Sequence, residues 1–214
     1  MVTLGLRVGY IVGRGATLLH FSKERPDTMG MPLAHRRFTV DEYYRMAEVG
    51  ILGPDDRVEL LDGEIVEMSP IGSRHAATVT RLQRLFERRA SDRSIVRVQQ
   101  PVRLDHYSEP EPDIALVRPR DDFYAAGHPT PGDVLLIVEV ADTSLRYDRH
   151  RKLPSYARAG IPEVWLLDLT VDRVETHREP GGDDYAGHHI LGADATISPL
   201  LLPNIAIRVA DLLG

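Results

Sequence analysis

The sequence predicts a mixed α/β (α+β) fold built on an α-β-β-β-α-β core. A helix and hairpin precede that core, and a C-terminal β appendage follows it. Three observations carry this reading. Val79, Leu82, Leu85 and Phe86 recur at helical spacing after Ser73. The run "VLLIVEV" at 134–140 is nearly continuously apolar, as a strand buried on both faces should be. Asp62-Gly63 sits between "RVELL" and "EIVEM", a strong signal for a tight hairpin.

Taken in order, residues 1–30 lack periodicity and are broken by Gly5, Gly9, Gly13 and Gly15. They match neither a secretory signal nor a phosphate-loop fingerprint. The expectation is a poorly ordered extension or an overlong start, with Met29 or Met31 as the alternative start and residues 31–214 as one domain. Thr39 and Glu42 form a capping box that opens a helix to about Gly50. The hairpin follows, and Ser73 is expected to cap a helix running to about Ala90, with Arg81, Arg84, Arg88 and Arg89 on its other side. Strands are predicted at 95–104, bent at Pro101, then at 113–118 and 134–140. A helix from about Ser144 to Ala159 ends at Gly160, with Pro162 barring its continuation, and "EVWLLDL" forms the next strand. Short strands at 173–178, 185–191 and 204–208 and a half-turn at 209–213 complete the chain.

Composition removes several classes of function. The 214 residues are 43% hydrophobic and 27% charged and include no cysteine, which excludes disulfides, thiolate metal sites and a cysteine nucleophile. No apolar run approaches the ~20 residues of a membrane span. A net charge of −6 argues against an indiscriminate nucleic-acid coat, and residues 31–214 alone carry 22 basic against 30 acidic residues. Of the 26 basic residues only Lys23 and Lys152 are lysine, a bias that GC-rich codon usage would produce. Lysine chemistry within the domain therefore has one candidate.

Three polar residues stand where burial is costly. Asp113 follows Pro112 at the mouth of the apolar run "PDIALV", and Glu139 ends the most apolar strand in the chain. Lys152 lies seven residues after Leu145 and four before Tyr156, on or beside the helix face they mark. Helix side chains lean towards the N-terminus, so Lys152 would point back to the strand end. Two carboxylates and an ammonium make a hard-oxygen site suited to Mg²⁺ or Mn²⁺ and to phosphodiester chemistry. Plainer roles stand beside this one. Asp113 would cap a turn, Glu139 would pair with Arg146 or Arg149, and Lys152 with Asp148 four residues earlier.

The runs "FTVDEYYRMAEVG", "RVELLDGEIVEMSP", "EPDIALV", "LLIVEVADTS" and "YDRHRKLPSYARAGIPEVWLLD" together resemble the Uma-two family of restriction-endonuclease-like proteins. That family belongs to the wider PD-(D/E)xK nuclease superfamily. The resemblance spans roughly residues 38–178, with five motifs in order. It implies a restriction-endonuclease-like core over residues 73–168, with Asp113 as the motif aspartate and Glu139 as its acid. The position two residues after Glu139, a lysine in the superfamily, is Ala141; the family's displaced lysine corresponds to Lys152. Glu59, Glu64 and His75 also match family positions. Glu59 is either a third acid beside the metal or an outward strand residue. His75 either touches the phosphate or a nearby water, or makes a local hydrogen bond.

Other chemistries find no support. His188 and His189 are adjacent, so on a strand they face opposite ways and cannot share one ion. No HExxH, Walker loop or GxSxG is present, and Ser73 and His75 do not face each other on one helix start. The resemblance thus implies a metal-dependent endonuclease acting on DNA phosphodiesters, with Asp113 and Glu139 holding Mg²⁺ (or Mn²⁺) and Lys152 positioning water and offsetting charge. DNA would meet a local arginine surface, Arg81, Arg84 and Arg88 or Arg146, Arg149 and Arg151. The alternatives are a non-catalytic nucleic-acid- or protein-binding module on the same fold, or a structural partner in an oligomer. A cytoplasmic homodimer without a membrane is expected, since a two-fold axis matches duplex DNA.

Overall fold

Helix α1 (Val40–Glu48) begins as its sequence demands: Thr39 Oγ1 accepts the Glu42 N–H at 3.1 Å, and the Glu42 carboxylate accepts the Thr39 N–H at 3.0 Å. The computed structural model describes residues 35–214, so the extension expected over 1–30 lies outside the described residues. Arg36–Gly214 cluster as one compact unit. Strands β1 (Val58–Leu61) and β2 (Glu64–Glu67) form the expected hairpin. Its turn residues Asp62 (φ 53°) and Gly63 (φ 79°) both lie in the left-handed region, as a type I′ turn requires. A Cβ at Gly63 would also stand 2.5 Å from the Arg37 Cβ.

Helix α2 (Ser73–Ala90) is present, but its N-cap is Gly72 rather than Ser73, and no side chain caps it. Strand β3 (Ile95–Val98) stops well short of residue 104. Gln99 takes a left-handed conformation (φ 48°), and the chain then folds back on itself, with Val102 N–H donating to Pro110 C=O at 3.0 Å. Strands β4 (Ile114–Val117) and β5 (Val134–Ala141) follow, and every residue of β5 is buried.

The helix expected over 144–159 is broken into α3 (Leu145–Tyr147), a π-helical segment Asp148–Lys152, and α4 (Leu153–Arg158). Pro154 supplies the reason. Inside a continuous α-helix it has no N–H for the preceding turn, and its ring would strike the carbonyl four residues back. Widening that turn relieves both. Strand β6 (Glu163–Asp168) comes next, then the hairpin β7 (Arg173–Gly181) and β8 (Asp184–Leu191). The strand expected at 204–208 is only β10 (Ile207–Arg208), paired with β9 (Thr196–Ile197), which the sequence pattern did not mark; α5 (Val209–Leu213) ends the chain.

The six-stranded sheet has the order β3-β4-β5-β6-β7-β8, antiparallel throughout except for the parallel pair β5–β6. That single parallel step is the one the α3–α4 crossover permits. On one face α2 and α5 bury Leu82, Phe86 and Leu212 against Ile114, Val138 and Trp165. On the other, α4 buries Leu153 and Tyr156 against Ala115, Ile137 and Val164. Among the described residues no helix is long and apolar enough to cross a membrane.

Glu163 joins this sheet to the C-terminal appendage. Its buried carboxylate accepts Trp165 Nε1–H at 2.6 Å, Arg178 Nε–H at 2.7 Å and the Leu200 N–H. Removing one partner of a buried ion pair strands the others. Glu163→Ala is expected to lower unfolding stability by about 3 kcal/mol in urea titration; an unchanged midpoint would show that the carboxylate is not what holds the appendage.

Candidate active site

The register of β4 on β5 sets the centre. Ile114 pairs with Val138, so Asp113, just before β4, meets the end of β5. The Asp113 N–H donates to Glu139 Oε2 at 3.3 Å, and the Val140 N–H donates to Asp113 Oδ2 at 2.9 Å. Hairpin β1–β2 brings Glu59 in from outside the main sheet. Glu59 Oε2 accepts the Glu111 N–H at 2.9 Å, and Oε1 accepts the Tyr147 hydroxyl at 3.0 Å.

Lys152 joins these groups. Its Nζ lies 3.2 Å from Glu139 Oε1, 3.3 Å from Glu59 Oε2 and 3.3 Å from Glu111 C=O. The residue is 6% exposed, and Glu59 and Glu139 are 1% and 3% exposed. Burial alone would lower the lysine's proton affinity, yet Glu139, Glu59, Asp148 and Asp113 raise it well above the ordinary value. The ammonium is therefore permanent. One of its N–H groups donates to Glu111 C=O, and the Glu59 and Glu139 carboxylates lie within ion-pair distance, so Lys152 offsets their charge.

The plainer sequence pairings are not formed. Glu139 pairs with Lys152, not with Arg146 or Arg149. Asp148 accepts the Ser144 hydroxyl at 2.6 Å, and Lys152 turns to Glu59 and Glu139 instead. Arg149 donates to Glu175 at 2.7 Å and Arg151 to Glu64 at 2.6 Å, which places Glu64 at the rim as an anchor for the helix. Those two arginines make ion pairs within the chain. Arg81 likewise donates to Leu213 C=O at 3.0 Å, and Arg88 to Arg84 C=O at 3.1 Å.

His75, in the first turn of α2, places Nε2 3.0 Å from Asp113 Oδ2. Its hydrogen bond to Asp113 raises its proton affinity, against the opposing effect of burial. Burial would raise Asp113 in turn, but His75, Lys152 and the Val140 N–H outweigh it and hold the carboxyl below its usual range. Gln99 donates to Asp113 Oδ1 at 3.2 Å from its left-handed turn, and Tyr156 donates to Glu139 Oε1 at 2.6 Å. Sequence reasoning missed Gln99, Tyr147, Tyr156 and Asp148 as site residues. Only Tyr156 and Asp148, four residues to either side of Lys152, left a helical-spacing signal.

These side chains open into a cavity of about 450 Å³ whose lining includes Glu59, His75, Glu111, Asp113, Asp142 and Asp148. With Glu139 beneath, the carboxyls outnumber the neighbouring basic groups Lys152, Arg57 and His75. Burial pushes Glu111 up, Asp148 up to about 6, and Glu139 up against the pull of Lys152. Such an excess of confined hard oxygen donors fits a divalent cation of the Mg²⁺ type. Asp113 and Glu139, adjacent across β4 and β5, are the residues that would hold it.

With the geometry in view, comparisons with known proteins add the following. The model of the family Uma2, described as "Putative restriction endonuclease", matches residues 40–210. Comparison with curated proteins gives no match. Among solved structures, a "putative nuclease belonging to DUF820 from Anabaena variabilis ATCC 29413" is similar with a TM-score of 0.64 and 14% identity, covering 82% of this chain and 97% of that one. That likeness shows the fold, which is the restriction-endonuclease-like one.

The His75–Asp113 pair makes stability depend on pH. His75 is raised, so its contribution is complete below its ordinary 6.5 and fades as pH rises through the raised value. Asp113 is lowered, so its contribution holds above its ordinary 3.8 and fades in acid. In metal-free buffer, His75→Gln is expected to cost about 1 kcal/mol at pH 5.5 and clearly less at pH 8.5. An equal loss at both, by urea titration, would mean that the pair carries no charge-dependent stability.

Proposed function

The chain belongs to the Uma2 family, and on that footing we propose that it is a metal-dependent endonuclease hydrolysing DNA phosphodiester bonds. The observation that carries the reading is the buried Lys152 ammonium 3.2 Å from Glu139 and 3.3 Å from Glu59, beside Asp113 on one cavity. An acid-rich cavity built around one fixed ammonium suits a phosphate group brought in with a cation better than it suits a neutral ligand.

Asp113 and Glu139 supply the oxygens for Mg²⁺ or Mn²⁺. When bound, such an ion polarises the phosphodiester and acidifies the attacking water. Water adds at phosphorus, the P–O ester bond breaks, and the leaving oxygen takes a proton, giving a phosphate monoester and an alcohol. Lys152 offsets the charge of Glu139 and Glu59 and holds both carboxylates in place. Glu59 serves as the lysine's counter-ion, and Tyr156 anchors Glu139 from the core side. His75 orients Asp113 at the cavity edge, where an anionic backbone would pass. Cutting both strands of a duplex calls for a two-fold pair of protomers, and chromosomal or invading DNA would be met in the cytoplasm.

The test is cleavage of single- and double-stranded DNA by the full chain in Mg²⁺ or Mn²⁺, with variants checked for folding by circular dichroism. Asp113→Asn and Glu139→Gln are expected to lose about 100-fold or more in rate. Lys152→Ala is expected to lose activity together with about 3 kcal/mol of stability, because Glu59 and Glu139 are left buried and uncompensated. Wild-type cleavage that Asp113→Asn does not change would overturn the reading. Metal-dependent DNA binding without any cleavage would move it to the binding-module alternative.

A further inference from the structure

A second group of ligating side chains lies on the outer hairpin. Glu175 and His177 are two residues apart on β7 and so point to the same side of the sheet. His188 on β8 is the direct cross-strand partner of His177. Glu175 Oε2 stands 3.8 Å from both His177 Nε2 and His188 Nε2, and one ligand atom from each residue lies within 4.8 Å of the other two. The imidazoles stack with centroids 4.6 Å apart and 14° between their planes. Donors on one zinc ion stand roughly 3.4 Å apart in a tetrahedron.

Polar accounting points the same way independently. His177 is 6% exposed, and its buried Nε2 has no hydrogen-bond partner. Buried polar nitrogens are almost always satisfied, so an orphan aimed at a carboxylate and a second imidazole marks a position for a ligand. The other oxygen of Glu175 is already held, by Arg149 at 2.7 Å and Arg173 at 3.2 Å. Such outer contacts orient a ligating carboxylate and leave Oε2 to face the rings. The side chain of His188 is 45% exposed, which opens the cluster to solvent.

We propose that Glu175, His177 and His188 form a binding site for a zinc-class divalent transition ion. Two imidazoles and one carboxylate favour zinc, cobalt or nickel over Mg²⁺. The site is distinct from the acid cavity. By register Glu139 pairs with Leu166 and Leu166 with Glu175, which puts two strand spacings, roughly 10 Å, between their backbones. An ion there clamps β7 to β8. Through the Glu175–Arg149 contact it also braces the π-helical segment that carries Lys152.

The experiment is Zn²⁺ titration by calorimetry, and Co²⁺ titration by visible absorption, on the untagged full chain. Wild type is expected to bind one equivalent of Zn²⁺ that survives in Asp113→Ala. His188→Gln and His177→Gln are each expected to weaken it by about 100-fold, the upper range for losing even an outer-contact residue. His188 is half-exposed, so its variant keeps the fold and decides the matter even if the His177 variant does not fold. Zinc affinity unchanged in His188→Gln overturns the site, as does zinc binding abolished by Asp113→Ala alone. Failure of wild type to bind zinc at micromolar concentration overturns it as well. None of these results bears on whether the acid cavity cleaves DNA.

Discussion

The Lys152 ammonium, held between Glu59 and Glu139, is the contact around which the rest is arranged. Glu59 comes from the hairpin β1–β2, Glu139 from the central strand β5, and Lys152 from the crossover between the two parallel strands. Each charge alone would be prohibitively expensive to bury. Together they are tolerable, because the ammonium and the carboxylates offset one another and each carboxylate takes further hydrogen bonds, Glu59 from Glu111 and Tyr147, Glu139 from Asp113 and Tyr156. The ion pair therefore fixes the hairpin and the crossover against the sheet, beside the cavity that Asp113 helps to line.

The broken helix is what allows this. A continuous α-helix through Pro154 would lose a backbone hydrogen bond, and the π-helical widening over Asp148–Lys152 absorbs the conflict. It also fans out the basic residues of one turn. Arg149 reaches Glu175, Arg151 reaches Glu64 and Lys152 reaches inward. Four strands, β1, β2, β5 and β7, thus grip a segment only five residues long. A turn so held presents a buried lysine with little freedom.

Much of this was legible beforehand for reasons that belong to single elements. Apolar strand ends made Asp113 and Glu139 conspicuous, and the scarcity of lysine narrowed that role to Lys152. Glu59 and His75 were reached only through the family resemblance, because nothing in a four-residue strand or a helix first turn marks them. Gln99 was illegible: its reach to Asp113 depends on a left-handed turn that also ended β3 early. The π-helical break carried a signal in Pro154 that the helical pattern around it concealed. His177 and His188 lie eleven residues apart and meet only through the β7–β8 register. Adjacency drew attention to His188 and His189 instead. Pairings set by long-range register are the part a single sequence holds least openly.

The central claim is that confined carboxylates around a permanent ammonium make a cation site at the ends of β4 and β5. The most direct measurement is anomalous diffraction from crystals of the full chain soaked in Mn²⁺. The account predicts an anomalous peak in contact with both Asp113 and Glu139, with Lys152 still paired to Glu59. No peak there, or a peak only at Glu175, His177 and His188, would contradict it.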